Sequence, residues 1–170
     1  MERLRIRDGC PGDAPRLAEI ARSAMTLFAE VGLHLPPDDP EAELVEARWV
    51  LVAELPGARP DPVGFVQLVE LDAHAHLQEI SVHPRYGRRG VGSALVDAAC
   101  GAARGRGYRW ITLTTFAEVA FNGPWYARLG FQELDRGRWG PQLTAQWDAE
   151  MAAGIGVAPR IAMLRDLAAA

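Results

Sequence analysis

The stretch from Leu77 to Ala103 constrains this chain most, because it reads as strand, glycine-rich turn and helix in immediate succession. Ile80 and Val82 are β-branched, and Pro84, which has no amide proton, ends the strand just after them. Past the turn, Val91, Leu95, Val96 and Ala99 recur at helical spacing. Between strand and helix, Gly90 and Gly92 let the backbone approach a bulky anion, and the unpaired amides that open a helix point into the same space. Such a turn is built to hold a phosphate.

What the turn lacks narrows the phosphate ligand. A nucleotide-hydrolysing loop carries Lys followed by Ser or Thr after its last Gly, and this chain has no Lys. A dinucleotide fingerprint needs a third small residue where Leu95 stands, and no acidic residue lies at the right distance after a second strand. The turn instead resembles the acyl-CoA pyrophosphate loop of the GNAT superfamily of N-acetyltransferases, whose pattern is Gln/Arg-x-x-Gly-x-Gly/Ala. Laid on Gly90 and Gly92, the pattern puts Gly87 where Gln or Arg is usual, and it fits again further along on Arg89, Gly92 and Ala94. His83-Pro84 before the turn strengthens the match, as does the later block from Tyr126 to Gly130-Phe131, which resembles the family's second signature, Tyr-x-x-x-Gly-Phe.

The rest of the chain supplies strands and helices around that unit. Leu4 and Ile6 alternate with Arg residues as in a half-buried strand. Asp13 is a suitable N-cap, and Leu17, Ile20, Ala21, Ala24, Leu27 and Phe28 form the apolar face of a helix ending near Gly32. Residues 41–47 predict a short helix, and 49–54 with 63–71 an antiparallel hairpin. Residues 75–82 form the next strand, 108–116 another, and a short helix opens at Pro124 and stops at Gly130. Residues 143–151 then read as a helix and 160–167 as a last strand. The helical crossover between 75–82 and 108–116 predicts a parallel pair. The resemblance implies an α/β fold with a central mixed sheet of six or seven strands, helices on both faces, and a parallel pair that splays to admit acyl-CoA. One domain over 1–170 is expected.

The resemblance also implies an activity, acetyl transfer from acetyl-CoA to a primary amine by direct attack in a ternary complex. The main chain of Ile80, Ser81 and Val82 would hold the pantetheine arm, with the Val82 amide facing the thioester oxygen. The amides of Arg88, Arg89, Gly90, Val91, Gly92 and Ser93 would hold the pyrophosphate, helped by the two guanidinium groups. Tyr126 matches the family's general acid beside the CoA sulfur. Asn122 stands one turn after the family's usual Asn, at a position where it either reaches the pantetheine or caps the short helix. For the base, Glu79 lies next to Ile80, while His74, His76 and Gln78 take the opposite parity, so an irregular strand decides which set faces the substrate. Glu79 is preferred, with His76 the alternative.

Charge and composition bound the partners. The net charge of −4 leaves no electrostatic footprint for nucleic acid, and no apolar run spans a membrane. A cytoplasmic location is expected, with Cys10 and Cys100 as unpaired thiols. His74-x-His76 lacks a third ligand at metal-site spacing, so no metal is expected. The acceptor is read only as a small-molecule or peptide amine, and homodimerisation is left open. It would be selected by the first helix, residues 33–39, the hairpin loop near Arg59 and the segment around Trp139, with Trp49, Trp125 and Trp139 as apolar candidates. A non-catalytic acyl-CoA sensor is the competing function, and Tyr126, Glu79 and His76 argue against it, since a sensor needs no acid and base.

Overall fold

A computed structural model describes residues 4–57 and 61–168. Arg59 lies outside the described residues. The elements, in chain order, are β1 (Arg5–Asp8), α1 (Ala14–Glu30), α2 (Pro40–Glu46), β2 (Val50–Leu55), β3 (Asp61–Leu71), β4 (His74–Val82), α3 (Val91–Gly105), β5 (Trp110–Phe116), α4 (Gly123–Arg128), β6 (Gln132–Glu133), α5 (Pro141–Ala152) and β7 (Arg160–Asp166). The seven strands form one sheet in the order β1-β2-β3-β4-β5-β7-β6. Every neighbouring pair is antiparallel except β4 and β5, which α3 joins as a crossover.

Helices cover both faces. On one, the side chains of α3 pack Val91, Leu95, Val96, Ala99 and Ala103 against Val66, Leu68, Ala75, Leu77, Ile111 and Leu113 of the sheet. Tyr126 and Phe131 complete that core. On the other face, Leu17, Ile20 and Ala21 of α1 and Leu44 of α2 meet Val52 and Phe65. Leu143 of α5 extends the same side with Leu134 and Ala162. Burying a Leu or Val side chain contributes about 1.5–3 kcal/mol, so the apolar stripes of α1 and α3 fix the two layers.

Asp13 does precede α1, but its carboxylate makes no cap bond and instead takes two hydrogen bonds from Arg7, at 2.8 and 2.9 Å. The guanidinium holds the Asp13 carboxyl down at about 2. Arg7 also bridges to the buried Glu54, which ties β1, β2 and the start of α1 together. The β3–β4 hairpin turns on Asp72 and Ala73, both with positive φ (53° and 60°). Asp72 then accepts the amides of Gln142 and Leu143 and so caps α5 from a distance. Cys10 is exposed, Cys100 buried, and both are free thiols.

Candidate active site

The site begins with an incomplete pairing. β4 touches β5 only at Ala75↔Ile111 and His76↔Thr112, yet remains paired to β3 as far as Gly64↔Val82. Beyond His76 the parallel strands therefore part, and the C-terminal half of β4 presents main-chain groups to an opening. Their direction follows from the ladder, because the His83 amide donates to Val63 on the β3 side. Amide direction alternates along a strand, so Val82 and Ile80 turn theirs toward the opening, and Ser81 turns its own toward β3.

Side-chain parity in β4 is reset by a bulge. Glu79 pairs with Gln67 and Leu77 with Leu68, which leaves Gln78 as the extra residue. Before it, Ala75 and Leu77 join the α3 core; after it, Ile80 and Val82 do. His76, Glu79 and Ser81 all point to the opposite face, the one covered by α1, α2 and α5. The irregularity thus brings both candidate bases to one side of the sheet.

The two differ in access. His76 is 1% exposed, its Nδ1 lies 2.8 Å from Thr112 Oγ1, and burial pushes its pKa down to about 4. It is a neutral, enclosed imidazole. Glu79 is half-buried and accepts a 3.0 Å hydrogen bond from Ser81 Oγ. Burial pushes its carboxyl up to about 7; the Ser81 bond opposes the rise, while Glu43 and Asp38 add to it. A carboxyl in that range is half ionised near neutrality, which suits proton exchange.

On the other face, the turn after β4 leads into α3. His83 Nδ1 accepts the Arg85 amide and stabilises the tight turn that starts at Pro84. Arg88 and Gly90 both have positive φ, 58° and 81°. Gly90 is the N-cap of α3, and a Cβ there would meet nothing within 4 Å. Among the described residues no amide from Arg88 to Ser93 donates to another main-chain or side-chain group; the helical ladder starts at Ala94→Gly90. These amides form a concave donor row at the positive end of a 15-residue helix, a ready cradle for an anion. Arg88 and Arg89 are exposed beside it. Gly92 has a different role. A Cβ there would lie 3.2 Å from the Trp125 ring, so this glycine lets α3 and α4 approach each other.

Trp125 is followed by Tyr126, 5% exposed, its ring packed on Trp125 and Phe131 at centroid distances of 4.8 and 5.6 Å. Burial pushes its phenol far above the ordinary value, so it stays protonated. Asn122 precedes α4 without capping it through its side chain; Nδ2 donates to the Phe121 carbonyl at 2.9 Å.

Sequence reasoning missed the aromatic floor at the end of β5, where Phe28 meets Phe116 and Phe121 at 5.6 and 5.3 Å. It also missed Thr114, which donates to Glu150, itself paired with Arg160 at 2.9 Å. Only the alternating Thr residues of β5 hinted at a polar row on that face. None of Trp49, Trp125 and Trp139 reaches a cavity at the end of β5; Trp49 stacks on Tyr108, and Trp139 packs at a tilt of 52° against Trp147. Among the described residues no helix is long and apolar enough to cross a membrane, and no His, Cys, Asp or Glu group of three could hold a metal.

Comparison with known proteins agrees with this geometry. The profile of the acetyltransferase (GNAT) family matches residues 16–131. An uncharacterised N-acetyltransferase of Escherichia coli K12, YafP, is 30% identical over 148 residues, covering 81% of this chain and 87% of the relative. An acetyltransferase of the GNAT family from Staphylococcus aureus Mu50 superposes with a TM-score of 0.73 at 19% identity, over 97% of this chain and 99% of that one. N-acetylglutamate synthase of Neisseria gonorrhoeae, solved with coenzyme A and N-acetyl-glutamate, has a TM-score of 0.67 at 22% identity over 98% of this chain. This chain spans 36% of that larger protein.

Proposed function

The chain belongs to the GNAT acetyltransferase family, and from that premise we propose that it is an acetyl-CoA-dependent enzyme, one domain over 1–170, that acetylates a primary amine by direct attack in a ternary complex. The observation that carries this is the unpaired amide row from Arg88 to Ser93, lying where β4 and β5 part. Six amides at a helix start, with Arg88 and Arg89 beside them, match a pyrophosphate in shape and charge. The outward main chain of Ile80 and Val82 would hold the extended pantetheine arm, with Asn122 near its end.

Acetyl-CoA supplies an activated acetyl group, so the protein's tasks are to position it and to move two protons. Glu79, half-buried on the α1 side, takes the proton from the incoming ammonium and leaves the amine nucleophilic. Tyr126, on the α3 side, donates a proton to the departing thiolate, and the second proton that the nitrogen loses as the amide forms restores the phenol. The Val82 amide faces the acyl oxygen and stabilises the charge that develops there. Glu79 is preferred to His76 because His76 is enclosed against Thr112 and would have to leave the core to meet a substrate. A paired acid and base have no use in an acyl-CoA sensor, which disfavours the non-catalytic alternative.

Retention on a CoA-affinity resin, released by free CoA, followed by thiol release from acetyl-CoA with a panel of amines, tests the proposal. Retention with amine-dependent thiol release is expected. Retention without turnover on any amine would leave the sensor, and no retention would remove both.

A further inference from the structure

A cavity of about 270 Å³ opens at the C-terminal end of β5, lined by Phe116, Val119 and Ala120 on one side, Val31 and Leu33 on a second, and Ala158 and Pro159 on a third. Glu118 is its one charged lining residue among those described. We infer that this cavity receives the apolar arm of the acceptor, and that the acceptor is a small aryl-alkyl or branched alkyl monoamine without a carboxylate. The inference rests on the transferase reading above.

Position is the first support. β4 and β5 run parallel, so Phe116 and Val82 lie at the same edge of the sheet, where ligands of such sheets collect. Phe116 and Thr114 share the face of Glu79, as their contacts with Phe28 of α1 and with Glu150 of α5 show. The same loop, residues 117–122, continues directly into α4 and Tyr126. An amine whose nitrogen sits between Glu79 and the opening therefore has this cavity beside it.

Size and lining are the second. An apolar cavity of about 150 Å³ accepts benzene, so 270 Å³ takes an aryl or branched alkyl group with its linker. Phe116 of the lining, itself packed edge-on against Phe28, gives that group an aromatic ring to pack on.

Charge is the third. A carboxylate on the acceptor would meet Glu118 at the cavity and Glu43 and Asp38 near Glu79. The Arg160 guanidinium lies over the Phe116 ring at 4.9 Å; its charge is offset by Glu150, which accepts from Nη2 at 2.9 Å, Thr114 lies 3.3 Å from the same nitrogen, and its buried Nε has no hydrogen-bond partner among the described residues. A free α-amino acid thus brings a negative charge into a negative surround, while an ammonium is attracted. A second ammonium, as on a diamine, would find Glu118 as its one counter-ion and would give up its water to the seven uncharged side chains that line the rest of the cavity.

The test compares 2-phenylethylamine, L-phenylalanine and 1,4-diaminobutane as acceptors for the full chain, with acetyl-CoA binding measured separately by calorimetry. kcat/KM for 2-phenylethylamine is expected to exceed both others at least tenfold. Ala158→Phe, which fills the cavity, is expected to raise KM at least tenfold more for 2-phenylethylamine than for methylamine. Glu118→Arg is expected to shift the phenylalanine to phenylethylamine ratio at least tenfold toward phenylalanine. Normal acetyl-CoA binding with equal or better use of phenylalanine or the diamine, or with no use of 2-phenylethylamine, overturns this inference alone. Loss of acetyl-CoA binding in the unaltered protein overturns the transferase reading and the inference with it.

Discussion

At the scale of single residues, Glu79 links catalysis to stability through one displaced pKa. Ionised Glu79 is the base, so kcat/KM is expected to fall as pH drops below about 7, where the carboxyl takes its proton. Glu79→Gln should flatten that acidic limb and lower the plateau, by about 10²–10⁴-fold. If His76→Gln flattens it and Glu79→Gln does not, the base has been misassigned. The same burial makes the folded protein hold this proton more tightly than the unfolded chain does. Its contribution to stability is therefore full below the ordinary carboxylate range and is lost as pH rises through about 7. Removing the charge should raise the stability of Glu79→Gln at pH 8 by up to roughly 3 kcal/mol, read as a higher melting temperature. Equal melting at pH 8 would mean that Glu79 is well solvated. Tyr126→Phe keeps the packed ring and removes only the proton, so near-native acetyl-CoA affinity with turnover lower by about ten- to several hundred-fold is expected. Unchanged turnover at every pH would remove Tyr126 as the acid.

At the scale of elements, the strand–turn–helix unit was legible because each of its parts has a local cause. Pro84 stops a strand, glycine permits positive φ, and the apolar positions of α3 repeat at helical spacing. The role of Gly92 was not legible, since its neighbour Trp125 comes from a different helix. Sequence alone treats Gly90 and Gly92 as equivalent anion glycines, and the structure separates them. Gly90→Val meets no atoms but must hold φ of 81°, so a loss of CoA affinity with about 1–2 kcal/mol of destabilisation is expected. Gly92→Val presses on Trp125 and should cost about 1–3 kcal/mol in the α3–α4 contact before CoA is considered. Titration calorimetry beside thermal melts distinguishes the two; identical profiles would contradict the division. Replacing Arg88 and Arg89 together by Ala should weaken CoA more than pantetheine donors, which lack its phosphates. The bulge at Gln78 was equally hidden. A two-residue period reads Glu79 and His76 onto opposite faces, and only the pairing with Gln67 and Leu68 reveals the extra residue.

At the scale of the whole molecule, the sheet divides the work between its faces. The parallel pair could be anticipated because the helical crossover is visible in one dimension, whereas the mixed sheet with helices on both sides was expected from the resemblance to the family. The acceptor cavity could not, since it gathers residues from the ends of α1, β5 and the segment before β7. The amide row opens from the α3 side, whereas Glu79 and the Phe116 cavity face α1, so donor and acceptor reach the gap between β4 and β5 from opposite sides. Neither need leave before the other enters. Cys100 is buried on α3 itself, in the core against the sheet, and Cys10 lies in the turn before α1, so no thiol stands at the gap to carry the acetyl group between half-reactions. Direct transfer in a ternary complex is the central claim, and initial rates of thiol release with acetyl-CoA and 2-phenylethylamine both varied test it most directly. Double-reciprocal lines that intersect are the predicted result; parallel lines, the mark of an acetyl-enzyme formed before the amine binds, would contradict it.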